Sequence, residues 1–176
     1  MNLDRPHAPD PYDLLPAVAS FTLESPGFAD CETLPDAQVY GGGNLSPELR
    51  WSGAPEGTKS FVVTCFDPDA PTPCGFWHWF MAGIPADVDH LPEGAGSLGS
   101  GLHRGSVTLR NDYGTADFGG AAPPEGDFPH RYMFVVHALD TEDLSLTPGE
   151  DSPAKGSFVM LDHVLGRAVL TGLYQA

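Results

Sequence analysis

The sequence predicts a mainly β chain, a two-sheet antiparallel β-sandwich with Greek-key topology and a C-terminal helix. Three observations predict it. Short runs rich in β-branched and aromatic residues recur, Gly, Pro, Asn or Asp clusters separate them, and apolar residues fall at helical spacing near the C-terminus. The 21 glycines and 18 prolines of the 176 residues are spread along the whole length, so they punctuate strands rather than mark disorder. A chain of this length buries a core without disulfide or metal staples, and one domain accounts for it.

In chain order, prolines at positions 6, 9, 11 and 16 prevent regular structure over residues 1–16, a flexible N-terminal arm ahead of a single domain over 17–176. Strand-like runs follow at 19–23, 38–40, 60–66, 76–84, 105–109 and 131–139. Strand alternation puts Phe76, His78, Phe80, Ala82 and Ile84 on one face of the fourth run, and Trp77, Trp79 and Met81 on the other. In the last run His130, Tyr132, Phe134, Val136 and Ala138 share a face. Phe158, Leu161, Val164, Leu165, Ala168 and Val169 recur at helical spacing, with Pro153 and Ser157 as start signals and Gly172 as a stop.

Composition then narrows function. Against 24 acidic residues stand 8 basic ones, a formal net charge of −16. Nucleic acid and anionic membranes are poor partners for such a surface, because phosphates are bound by the clustered Lys and Arg it lacks. No stretch reaches transmembrane length, so no stable membrane insertion is expected. Charged residues and prolines interrupt the first twenty positions, so the expected location is the cytoplasm. Cys31, Cys65 and Cys74 are an odd number at no familiar spacing, which argues for reduced thiols.

Three segments carry chemistry. Asp67-Pro68-Asp69-Ala70-Pro71 follows a strand, and two prolines there hold two carboxylates in a pre-organised corner. His78, between Trp77 and Trp79 on a buried-looking strand, must find hydrogen-bond partners, and Asp67 is the obvious candidate. The small residues of the 119–124 loop, Gly119-Gly120-Ala121-Ala122-Pro123-Pro124, let backbone amides approach an anion, and His130-Arg131-Tyr132 comes soon after. Neither G-x-S-x-G nor H-E-x-x-H occurs, and Cys74 with His78 falls short of a zinc ligand set. The expectation is a non-enzymatic chain without a cofactor.

Taken in this order, Asp67-Pro68-Asp69-Ala70-Pro71, His78-Trp79, Gly120-x-x-Pro123-Pro124-x-Gly126 and His130-Arg131-Tyr132 resemble the phosphatidylethanolamine-binding protein family, in its shorter bacterial and archaeal branch with the Raf-kinase-inhibitor-like proteins. The resemblance implies a β-sandwich whose pocket accepts phosphate, acetate or a phosphorylated head group. It implies a site of Asp67, Asp69, Pro71, His78, Gly119, Gly120, Ala122, Pro123, His130 and Tyr132, with Arg131 as a structural partner of nearby carboxylates. It also implies a possible kinase or protease partner, with a phosphopeptide- or protein-docking role as the alternative function, and a possible homodimer. The segment between Pro71 and His78 is shorter than in eukaryotic members, and Ala122 stands where Gly is frequent.

Overall fold

Residues 3–97 and 105–176 are described by the computed structural model, so the first two residues of the expected arm lie outside the description. The strands are β1 (Ala19–Ser20), β2 (Thr22–Glu24), β3 (Glu32–Thr33), β4 (Leu49–Ser52), β5 (Ser60–Asp67), β6 (Phe76–Pro85), β7 (His90–Leu91), β8 (Val107–Thr108), β9 (His130–Leu139) and β10 (Val164–Tyr174). A helix, α1 (Pro153–Met160), precedes β10. Among the described residues a seven-stranded sheet runs in the order β1-β10-β9-β5-β6-β8, with β3 also on β10, and a three-stranded sheet runs β2-β4-β7. No described helix is long and apolar enough to cross a membrane.

The main core fills the space between the sheets. Leu23, Leu49, Trp51 and Leu91 of the small sheet meet Phe61, Val63, Cys65, Trp79, Met81, Phe134 and Val136 of the large one. The outer face of the large sheet buries Val62, Phe80, Ala82 and Leu139 against Met160 of α1. The large sheet is thus covered on both faces, which explains why its central strands read as nearly continuous apolar runs.

Four expectations are corrected. The sheet is mixed rather than purely antiparallel, because β1 and β3 both lie parallel to β10. The chain leaves the large sheet after β1, adds β2 to the small one, and returns as β3 along the same edge. Residues 38–40 form no strand; a 3₁₀ turn (Asp36–Gln38) leads into a single bridge between Val39 and Ala121.

The apolar repeat over 158–169 is not one helix. Helix α1 ends at Met160, a 3₁₀ turn (Leu161–His163) follows, and the rest is the long strand β10 beside β9. Gly166 and Gly172 decide this: side chains there would strike the Pro55 ring and Leu34, so both are close-approach points of a strand. Pro153 does open α1, where the Ser152 hydroxyl caps it by accepting from the Lys155 amide.

Strict alternation along β6 also fails, because its pairing with β5 slips twice. One slip lies where Cys65 opposes Trp79 and Phe66 opposes Trp77, leaving His78 as the extra residue of a bulge. The other lies near Gly83, which has a φ of +72°. As a result Trp79, Met81 and Ile84 share the main core while Phe80 and Ala82 face α1. Alternation holds on β9, where Tyr132, Phe134, Val136 and Ala138 all enter the main core.

A candidate ligand pocket at three strand ends

Strand β5 runs antiparallel to both of its neighbours, so its C-terminal end lies beside the beginnings of β6 and β9. This topology alone gathers Asp67, His78 and His130 from distant segments onto one edge. They line a surface pocket of ≈ 220 Å³ with Ala70, Pro71, Thr72, Phe76, Tyr113, Ala122, Pro124 and Tyr132.

Asp67 is the hub. Its Oδ1 accepts from the amides of Asp69 (2.7 Å) and Ala70 (3.0 Å), which closes the turn, and its Oδ2 lies 2.7 Å from His130 Nδ1. The other nitrogen of that ring, Nε2, lies 2.9 Å from Oδ2 of Asp127. A carboxylate at each nitrogen requires a proton on each, so His130 is an imidazolium. Burial works against that charge, but the hydrogen bonds and charges of Asp67 and Asp127 outweigh it and raise the pKa above the ordinary histidine value.

Asp127 in turn receives both terminal nitrogens of Arg5, at 2.9 and 2.8 Å. The Arg5 hydrogen bonds outweigh burial, and with the His130 contact they hold the Asp127 carboxyl well below the usual range. Arg5, Asp127, His130 and Asp67 thus alternate in sign and cancel.

His78 behaves differently. Released by the bulge, its ring packs edge-on against Tyr132 and Tyr113, with centroids 5.0 and 5.5 Å away. Its Nδ1 lies 2.7 Å from the Gly119 carbonyl, so Nδ1 carries the proton and donates. Burial lowers the pKa of His78, against the opposing pull of the Gly119 carbonyl and the Asp67 charge. In the neutral ring Nε2 therefore keeps its lone pair. Against this ring packs Tyr132, whose hydroxyl is buried and has no hydrogen-bond partner among the described residues. The Ala122 amide approaches it without completing a bond of ordinary geometry. Burial pushes the Tyr132 phenol up, so it remains a donor.

Of the residues expected at the site, Asp67, Pro71, His78, Ala122, His130 and Tyr132 line the pocket, whereas Asp69, Gly119, Gly120 and Pro123 do not. The Asp69 carboxylate is taken up by Arg131, with Oδ2 2.7 Å from Nε and Oδ1 2.8 Å from Nη2.

Of the expected cradle of loop amides over 119–122, three are spent within the fold, and among these four residues only Ala122 lines the pocket. Gly119 N–H donates to the His78 carbonyl, Gly120 N–H to Asn44 Oδ1, and Ala121 N–H to the Gln38 carbonyl. The glycines serve packing instead: a Cβ at 119 would sit 2.3 Å from the Tyr113 ring, and one at 120 would sit 2.5 Å from the Gln38 carbonyl. The expected pairing of Asp67 with His78 is also corrected: His78 Nδ1 is held by the Gly119 carbonyl, and the histidine that Asp67 orients is His130. Donation from His130 to an anion does not hold, because both of its nitrogens are occupied.

Sequence reasoning missed Tyr113, Phe76 and Thr72 of the lining, and Asp127 and Arg5 behind it. Asp127 three residues before His130 was the one local signal available.

The profile of the family described as phosphatidylethanolamine-binding protein matches residues 24–175. UPF0098 protein YbcL of Escherichia coli is 46% identical over 167 residues, covering 90% of this chain and 89% of that protein. UPF0098 protein YbhB of the same organism is 43% identical over 86% of this chain and 98% of its own length. The crystal structure of E. coli YbcL, described as a new member of the mammalian PEBP family, matches with a TM-score of 0.86 at 44% identity, over 90% of this chain and 99% of that one. A homologue from Chlamydia trachomatis matches with a TM-score of 0.77 at 28% identity, over 89% of this chain and 98% of that one. Paired sheets, a strand-end pocket and a match that runs nearly end to end make this chain a member of the phosphatidylethanolamine-binding protein family.

Proposed function

We propose that the chain is a non-catalytic binding protein for a small anionic ligand, a phosphate or a phosphorylated head group, held between His78 and Tyr132. The observation that carries this reading is the buried Tyr132 hydroxyl, which has no hydrogen-bond partner among the described residues, packed against the ring of His78, whose Nδ1 is held by the Gly119 carbonyl. A buried donor left unsatisfied costs about 1–3 kcal/mol, and an oxyanion recovers it. The ≈ 220 Å³ pocket suits a head group rather than a whole lipid. The family's own name supports a phosphorylated ligand.

Charge sets the condition for binding. The cations His130 and Arg5 are already paired with Asp67 and Asp127, so the positive charge that meets the ligand is a protonated His78. The charged and titratable groups around His78 are Asp67, Asp112, Tyr113 and Tyr132. Burial keeps His78 neutral in the free protein, so an anion binds together with a proton. Affinity therefore rises as pH falls, by up to about tenfold per unit, and levels off below the His78 titration.

Calorimetry with sulfate, whose charge is fixed, and with inorganic phosphate between about pH 5 and pH 8 tests this. The slope should appear with both anions and vanish in His78→Gln. A pH-independent affinity for sulfate, or no binding of either anion, defeats the reading.

A further inference from the structure

The N-terminal arm is fastened to the back of the pocket wall, and its attachment is more specific than a proline-rich leader requires. Arg5 grips Asp127 with both terminal nitrogens and also donates to the Asp69 carbonyl. Its guanidinium lies over the Phe128 ring, 4.6 Å from the centroid, and His7 packs on the same ring at 4.1 Å. The amide and carbonyl of Ala8 are bound by Asp69 Oδ1 (3.3 Å) and Arg131 Nη2 (2.7 Å). The two carboxylates of the Asp67-Pro68-Asp69 corner thus divide their work: one holds His130, the other helps hold the arm.

Arg5 does not line the pocket. It acts through a chain: Arg5 on Asp127, Asp127 on His130 Nε2, His130 Nδ1 on Asp67, and Asp67 and His130 in the wall. The groups facing His130 are Asp67 from β5, Asp127 from the turn before β9, and Arg5 from the arm, 3.3 Å from Nε2. With Arg5 in place these charges sum to zero. Without it, the wall carries one uncompensated negative charge beside a site meant for an anion.

We propose that Arg5 is a positioning residue for the pocket, and that the seating of the arm tunes anion affinity by balancing Asp127 behind His130. This rests on the anion-binding reading above for its effect on affinity, but not for its effect on His130. Release of the arm by a competing partner would lower affinity without anything entering the pocket.

The test compares full-length wild type, Arg5→Gln and Arg5→Lys by calorimetry with inorganic phosphate and by NMR titration of the His130 ring. In Arg5→Gln, phosphate should bind about tenfold more weakly, and the His130 titration should move to higher pH because the Asp127 charge is then no longer neutralised by Arg5. Arg5→Lys keeps the charge but loses the two-nitrogen fork on Asp127, so it should move the His130 titration back toward the wild-type position and recover part of the affinity.

An unchanged His130 titration and unchanged affinity in Arg5→Gln overturn the proposal. So does an Arg5→Lys variant that matches Arg5→Gln in both readouts, since the arm would then act by packing alone. If wild type fails to bind phosphate, the proposed ligand falls, while the His130 titration still decides whether the arm is coupled to the wall.

Discussion

His130 holds a carboxylate on each ring nitrogen, whereas Tyr132, two residues along the same strand face, holds no partner on its hydroxyl among the described residues. The first residue is committed to the wall and the second is available to a ligand. Tyr132→Phe separates the two demands. Removing an unsatisfied buried hydroxyl should leave stability unchanged or raise it by about 1 kcal/mol, read by urea denaturation, while phosphate affinity falls roughly fivefold to tenfold. A loss of stability would mean that the hydroxyl is satisfied in the folded protein. Asp67 was legible because it ends an apolar strand at two prolines, His78 because it is a polar residue between tryptophans on a buried-looking strand, and His130 and Tyr132 through the resemblance carried by His130-Arg131-Tyr132 after the Gly-Pro loop. The partners of His130 were only half legible. Arg5 and Asp127 are 122 positions apart, and no local periodicity encodes a bond of that span.

At the level of elements, the sequence announced strands where β-branched residues are bounded by prolines and glycines, as at β5, β6 and β9. It misled where apolar residues are interrupted by small ones. In β10, Val164, Leu165, Ala168 and Val169 mimic the end of a helical stripe, and only the packing of Pro55 and Leu34 against Gly166 and Gly172 shows why a strand is required. Bulges cannot be read from alternation, so the site-forming turn of His78 was invisible even though the residue was singled out. Glycine also decides how α1 docks. A Cβ at Gly156 would lie 2.5 Å from the Phe80 ring, so Gly156→Ala, despite its better helix propensity, should destabilise the protein by about 1–3 kcal/mol. Thermal denaturation would reveal it, and a gain in stability would show that α1 can lift off the sheet at no penalty.

For the molecule as a whole, the formal net charge of −16 is a standing repulsion that the fold must contain. The ion pairs resolved here involve few of the acidic residues. Raising salt from about 0.05 to about 1 M should therefore raise the thermal midpoint, since the Debye length shrinks from beyond 10 Å to about 3 Å. A midpoint that falls over this range would show that the pairs behind the pocket outweigh the surface repulsion. The charges behind the pocket are balanced locally, so on the proposed reading they add nothing to the field that an incoming anion would meet.

The convergence of three strand ends on one rim has a last consequence. The bond between Asp67 and His130 joins positions 63 apart, across the central strands of the large sheet. No single hairpin can present the whole cavity, so occupancy requires β5, β6 and β9 to be paired, with the loops that carry Tyr113 and Ala122 in place. Whatever settled there would recognise that assembled arrangement, and by mass action would hold it together.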